Sequence, residues 1–211
     1  MRQPLRLPCL YPIIDSRLAG NLPPATIVEL LCRGGATFLQ LRAKTLSDGE
    51  LMGDTRHALL AARRGGARLI VNDRPDIAAL TGADGVHLGE EDLPVGDARA
   101  LLGPDAIIGY STHSVAQAMA AVSLPVDYIA LGPIFATGNA SVRREPLGLD
   151  ALAAAAAAVT VPLVAIGGID LARARQVLEA GAASVAVIGD LMSCPDIPAR
   201  TAAYLELTRR L

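Results

Sequence analysis

Short runs rich in Val, Ile and Leu alternate with longer Ala- and Leu-rich stretches along the whole chain, and no Ser- or Pro-rich linker interrupts the rhythm. The short runs predict strands over residues 10–14, 37–41, 68–71, 85–88, 107–110, 128–131, 161–166 and 184–188. The longer stretches predict helices over 25–33, 47–64, 77–80, 95–102, 115–122, 149–158 and 171–180, with a last one over 199–210. Glycine follows several of these helices, in Gly34-Gly35, Gly65-Gly66, Gly82 and Gly181, where a left-handed cap and a tight return to the next strand are needed. Eight such βα units predict an α/β chain folded as a single (β/α)8 TIM barrel over residues 1–211. A doubly wound open sheet is the alternative. No Gly-x-Gly-x-x-Gly follows the first strand, and no Gly-x-x-x-x-Gly-Lys loop occurs.

Composition narrows the function. With 52% hydrophobic and 19% charged residues the chain has apolar surface for a sizeable core, so disorder is not expected. A net charge of -2 gives no overall attraction for nucleic acid or an anionic membrane, and the absence of Trp argues against base-stacking platforms. Cys9, Cys32 and Cys194 are widely spaced, form no Cys-x-x-Cys pair, and read as buried side chains rather than zinc or redox sites. No charged segment leads into an apolar signal stretch, and no apolar run approaches the ~20 residues of a membrane span, so a cytoplasmic protein is expected. Of the 19 basic residues only Lys44 is lysine, a hint of a site that wants a compact ammonium.

In a barrel the chemistry belongs at the C-terminal ends of the strands, and polar residues gather there. Arg42 and Lys44 lie two apart, so in extended backbone both point to one side, as cations converging on phosphate oxygens would; a solvated charged turn is the plainer reading. Asp73 and Asp92 follow neighbouring strands and could flank one hard cation such as Mg2+, or simply cap helices. Gly167-Gly168 and Gly189 fall where barrels build phosphate sites from backbone N–H groups, though tight turns need glycine too. Gln40 can read a heterocycle edge, and Ser111 suits a hydrogen-bond donor to substrate, since Gly109-Tyr110-Ser111-Thr112-His113 is not a Gly-x-Ser-x-Gly elbow. His87 reads as a core histidine or as support for the site, and His113 either shares the side of Ser111 or begins the next helix.

Taken in order, several segments resemble the thiamine phosphate synthase family over nearly the whole chain. The most telling, specific as an ordered set, are Gln40-Leu41-Arg42-Ala43-Lys44, Val71-Asn72-Asp73-Arg74, Asp84-Gly85-Val86-His87-Leu88-Gly89-Glu90-Glu91-Asp92-Leu93-Pro94, Gly109-Tyr110-Ser111-Thr112-His113, Asp127-Tyr128, Gly132-Pro133-Ile134-Phe135 and Ala165-Ile166-Gly167-Gly168-Ile169. The resemblance implies a transferase that condenses hydroxymethylpyrimidine diphosphate with thiazole phosphate, releasing diphosphate, with Mg2+ as cofactor. It implies that Arg42, Lys44 and Asn72 grip the diphosphate and that Asp73 and Asp92 hold Mg2+. Gln40 and Ser111 would contact the aminopyrimidine or the departing diphosphate, and the backbone around Gly168, Ile188 and Gly189 would hold the thiazole phosphate. Lys44, Arg42 and Ser111 are the residues expected to bear most directly on catalysis.

Three departures stand out. Where the family usually shows Thr-x-Thr-Lys in contact with substrate, this chain reads Thr137-Gly138-Asn139-Ala140, so Thr137 and Asn139 are the remaining candidates and Arg143 or Arg144 the candidate replacements for the lost charge. Glu90 stands where Gln is frequent, and Gly189 where Ser is frequent, which keeps an amide and loses a hydroxyl. These losses keep two alternatives open, a thiazole tautomerase-like isomerase and a non-catalytic paralogue that binds thiamine-related phosphates. A barrel enzyme acting on sugar phosphates is the generic fallback. Homo-oligomerisation is not decided by the sequence.

Overall fold

Strands covered on both faces need apolar residues at nearly every position, and the short runs supply them. The computed structural model describes residues 5–18, 20, 22–137 and 144–207. Its eight parallel strands are β1 (Leu10–Asp15), β2 (Phe38–Arg42), β3 (Arg68–Asn72), β4 (Gly85–Leu88), β5 (Ile107–Thr112), β6 (Tyr128–Leu131), β7 (Leu163–Ile166) and β8 (Ser184–Val187). They pair in chain order, and β8 pairs with β1 to close the ring. The helices are α1 (Pro24–Arg33), α2 (Asp48–Arg64), α3 (Pro75–Thr81), α4 (Val95–Leu102), α5 (Val115–Ala121), α6 (Gly148–Ala158), α7 (Leu171–Glu179), α8 (Gly189–Met192) and α9 (Ile197–Glu206). The (β/α)8 barrel expected from the eight apolar runs is therefore the fold adopted.

Strand alternation divides the core into two layers. Leu10, Ile14, Leu39, Leu41, Leu69 and Val71 face outward into the layer shared with the helices. Tyr11, Ile13, Phe38, Ile70, Ile107, Tyr128, Ala130, Val164 and Ala186 form a separate cluster inside the barrel, which is thus filled rather than open. The same parity sends Asp15, Gln40 and Arg42 to the interior, and this is how the sequence aims its polar residues at the mouth. Helix starts are set locally. Ser47 and Glu50 form a reciprocal capping box at α2, Ser114 caps α5, Asp170 caps α7 and Asp196 caps α9.

The differences from the expected boundaries have local causes. β5 runs on to Thr112, so Ser111 lies within a strand rather than after it. β7 starts at Leu163 instead of 161, because Pro162 has no N–H to give the ladder. α8 was not expected, since one turn of four residues carries no readable period. α3 begins earlier, with Pro75 in its first turn. The expected end of the last helix, at 210, falls outside the described residues. Cys9, Cys32 and Cys194 are half-buried rather than buried, and no disulfide joins them. Among the described residues no helix is long and apolar enough to cross a membrane.

Candidate active site

The register of the first two strands places Asp15 beside Arg42 at the mouth. Asp15 is fully buried and its carboxylate accepts from Arg42 Nη1, from Arg17 Nε at 3.2 Å and Nη2 at 3.1 Å, and from the Arg17 backbone N–H at 3.0 Å. Burial disfavours the charged carboxylate, but the hydrogen bonds of Arg17 and the charges of Arg42 and Arg17 outweigh it and hold Asp15 below the usual carboxylate range. Arg42 is thereby anchored through one of its five N–H donors, which leaves a fixed guanidinium at the rim. Asp15 and Arg17 were not singled out from the sequence. The available signal was an acid at an inward-facing position of an otherwise apolar strand, which demands a cation in register on the neighbouring strand.

Lys44 and Arg42 each pair with a carboxylate of their own. Lys44 lies in the loop beyond β2, and its Nζ sits 2.8 Å from Asp73 Oδ2, with half of its side chain still exposed. Asp73 has φ +63°, the one non-glycine residue with positive φ among those described, and its N–H is held by His87 O at 2.8 Å. Backbone strain of this kind concentrates at functional sites. Asp73 and Asp92 come within hydrogen-bonding contact of each other, and Asp92 Oδ2 also accepts from Gly89 N at 2.7 Å. Burial first, and then the charge of Asp73, raise the Asp92 carboxyl above its ordinary range. Asn72 ends β3, half-buried and in register with His87.

Behind this rim lies a polar layer. Gln40 Nε2 donates to Tyr11 OH at 2.9 Å, Tyr11 OH meets Tyr128 OH at 2.8 Å, Tyr128 OH meets His87 Nδ1 at 3.0 Å, and His87 Nε2 meets Ser111 Oγ at 2.8 Å. Burial pushes the Tyr11 and Tyr128 phenols upward and lowers His87 to about 4. His87 thus supports Ser111 from inside the barrel. Tyr11 and Tyr128 lie in segments that carry the resemblance but receive no role from the sequence, because a tyrosine in an apolar run reads as core. His113 turns away from Ser111, with Nδ1 2.8 Å from Gly132 O, and ties β5 to the start of the loop after β6.

On the opposite side, Gly167 and Gly168 turn the chain out of β7 with φ +101° and +62°. A Cβ on Gly168 would lie 2.3 Å from Ala136 O, so only glycine lets this turn pack against the loop after β6. Arg173 holds the turn by donating to Gly168 O at 2.8 Å and lies over the Phe135 ring. Ile188 caps the short helix α8 and Gly189 begins it, directly after β8. Thr137 is half-buried at the end of the described part of this loop. Asn139, Ala140 and Arg143 lie outside the described residues. Arg144 pairs with Glu90 at 3.2 Å, so its guanidinium is engaged at the mouth by the glutamate that departs from the family pattern.

A family model described as thiamine monophosphate synthase matches residues 10–191. A thiamine-phosphate synthase of Chlorobium phaeovibrioides is 47% identical over 176 residues, covering 83% of this chain and 84% of that protein. One of Moorella thermoacetica is 42% identical over 201 residues, covering 95% and 96%. Among solved structures, a thiamine phosphate pyrophosphorylase of Pyrococcus furiosus superposes with a TM-score of 0.86 at 32% identity, covering 96% of each chain.

Proposed function

The chain belongs to the thiamine monophosphate synthase family, and from that premise we propose that it joins hydroxymethylpyrimidine diphosphate to thiazole phosphate with Mg2+ at its mouth. The products are thiamine phosphate and diphosphate. The observation that carries the reading is the cluster of Lys44, Asp73 and Asp92 beside the anchored Arg42.

Two touching carboxylates, one with a raised proton affinity, form a donor set that a hard cation would relieve, so the residues fit Mg2+. Among the described residues no group of three or more His, Cys, Asp or Glu is placed to hold a metal, which suits an ion that takes one or two carboxylates and completes its shell with substrate phosphates and water. When bound, Mg2+ supplies positive charge to diphosphate oxygens that become more negative as they leave. The protein's own part is to hold charge in place beforehand. Lys44 is a half-exposed ammonium steered by Asp73, Arg42 is a guanidinium anchored by Asp15, and Ser111 and Asn72 offer hydrogen bonds from the barrel wall. As the pyrimidine CH2–O bond breaks, the carbon gains positive charge and the thiazole nitrogen attacks it, so no side chain needs to act as a nucleophile. Holding the two rings together then removes much of the remaining barrier.

The thiazole phosphate belongs at the Gly168 turn after β7 and at Ile188 and Gly189 after β8, where glycines keep backbone N–H groups open to an anion. A Cβ on Gly189 would meet nothing within 4 Å, and its φ is not in the left-handed region, so a side chain fits there. Gly189→Ser is therefore expected to lower the KM for thiazole phosphate roughly two- to tenfold, the worth of one added hydrogen bond. A raised KM in steady-state assays would count against a phosphate at this turn.

The whole reading is tested by incubating the protein with both substrates and Mg2+ while following thiamine phosphate and diphosphate together. Equal formation of the two, abolished by EDTA, is the expected result. Binding of thiazole phosphate without product would instead favour the tautomerase-like or non-catalytic alternatives.

A further inference from the structure

The polar layer under the mouth is a connected file of hydrogen bonds, with Gln40 reaching Tyr128 as well as Tyr11. Gln40, Tyr11, Tyr128, His87 and Ser111 come from β2, β1, β6, β4 and β5, and each touches the next at 2.8 to 3.0 Å. The first four are almost wholly buried, so every donor in the file must find its acceptor within it or lose free energy. An amide nitrogen only donates, and a neutral phenol has one proton to give. Tyr11, accepting from Gln40, therefore gives its proton to Tyr128, and Tyr128 gives its own to His87 Nδ1. The imidazole must then carry its proton on Nε2 and give it to Ser111 Oγ. Ser111, which is only half-buried, is left with its hydroxyl proton for the mouth. A doubly protonated imidazole does not fit this count. Nδ1 would then donate to Tyr128, Tyr128 to Tyr11, and the Tyr11 proton would have no acceptor in the file.

A second observation shows that the joint between Tyr128 and His87 is built into the barrel. Gly109 lies beneath it, and a Cβ there would stand 2.0 Å from Tyr128 Cζ and 2.5 Å from His87 Nδ1. The strand gives up a side chain at the one point where the two rings must meet.

We propose that Gln40, Tyr11, Tyr128 and His87 act as a one-way hydrogen-bond relay that locks His87 as the Nε2–H tautomer and so fixes Ser111 as a donor to the diphosphate oxygens of the substrate. These oxygens accept only, and they gain charge in the reaction, so a serine of set polarity favours departure over ground-state binding. Gln40, Tyr11, Tyr128 and His87 are positioning residues in this role. The proposal rests on the synthase reading for the identity of the acceptor but not for the direction of the relay.

Long-range proton–nitrogen correlation spectra of the protein labelled with 15N-histidine test the direction without any substrate, with His87 assigned by the signal lost in His87→Gln. The expected pattern is a protonated Nε2 and an accepting Nδ1. A protonated Nδ1 would reverse every bond in the file and overturn the proposal. Tyr128→Phe, which removes one hydroxyl, should erase the tautomer preference and lower kcat about tenfold, the loss of one hydrogen bond's worth of polarity, while both KM values stay within about twofold. Unchanged kcat alongside a mixed tautomer would refute the link to Ser111. Should Tyr128→Phe fail to fold, the wild-type spectrum still decides the direction, and failure of the wild type to form product would refute the synthase reading and leave the tautomer result standing.

Discussion

An Asp92→Ala enzyme is expected to turn over on the order of 10²- to 10³-fold more slowly than its parent, the usual loss when one preorganised charge-stabilising group is removed. The fold should survive, because Asp92 is in a loop beyond β4 and its one backbone partner is Gly89 in the same turn. Asp92→Asn separates two contributions. It keeps an oxygen for the Gly89 N–H and loses only the charge, so it should be nearly as slow as Asp92→Ala if charge is what matters. Lys44→Ala is expected to act in the same direction, and Lys44→Arg to restore only part of the rate, since a planar guanidinium cannot reproduce a compact ammonium. Steady-state kinetics with Mg2+ varied, beside thermal unfolding of each variant, provide the check. Near-normal kcat in either alanine variant would remove that residue from the proposed site.

Asp15→Ala should produce the largest loss of stability, about 3–5 kcal/mol, which is the known cost of stranding one member of a buried ion pair. Asp15 is fully buried, and the Arg42 side chain that it holds is only 11% exposed, so water can replace little of what is lost. Asp15→Ala combined with Arg42→Met should recover much of the stability, because the buried guanidinium goes with its partner and the Arg17 side chain, 38% exposed, is left to water, without recovering turnover. Denaturant unfolding of the two variants and the parent measures this directly. A single Asp15→Ala variant within about 1 kcal/mol of the parent would mean that Arg17 and solvent already screen Arg42, contrary to the buried-pair argument.

How much of this was legible in the sequence depends on what each feature needs. The barrel was, because eight apolar runs separated by helical stretches are a pattern of the chain itself and need no knowledge of contacts. Lys44, Asp73 and Asp92 were also legible as rim residues, since each lies in the loop that leaves the C-terminal end of a strand. Their pairing was not. The structure ties Arg42 to Asp15 and Lys44 to Asp73, carboxylate partners that the spacing of the two cations does not disclose. Strand parity fixes which side a residue faces, but not which neighbour it meets. For the same reason Tyr11 and Tyr128 passed as core. Their rings do pack there, against each other and against Phe38 with centroids 4.6 to 6.0 Å apart, and only the hydroxyls reveal a second task. Helix α8 escaped because four residues are too few to show a period.

The file of hydrogen bonds draws Gln40, Tyr11 and His87 from strands β1 to β4, and Ser111 and Tyr128 from β5 and β6. Neither half of the barrel contains the whole file, since β1 to β4 lack Ser111 and Tyr128 and the later strands lack Gln40, Tyr11 and His87. For this chain the recovery of full turnover during refolding is expected to report on the docking of the two arcs of the ring, and not on the pairing of strands within either one.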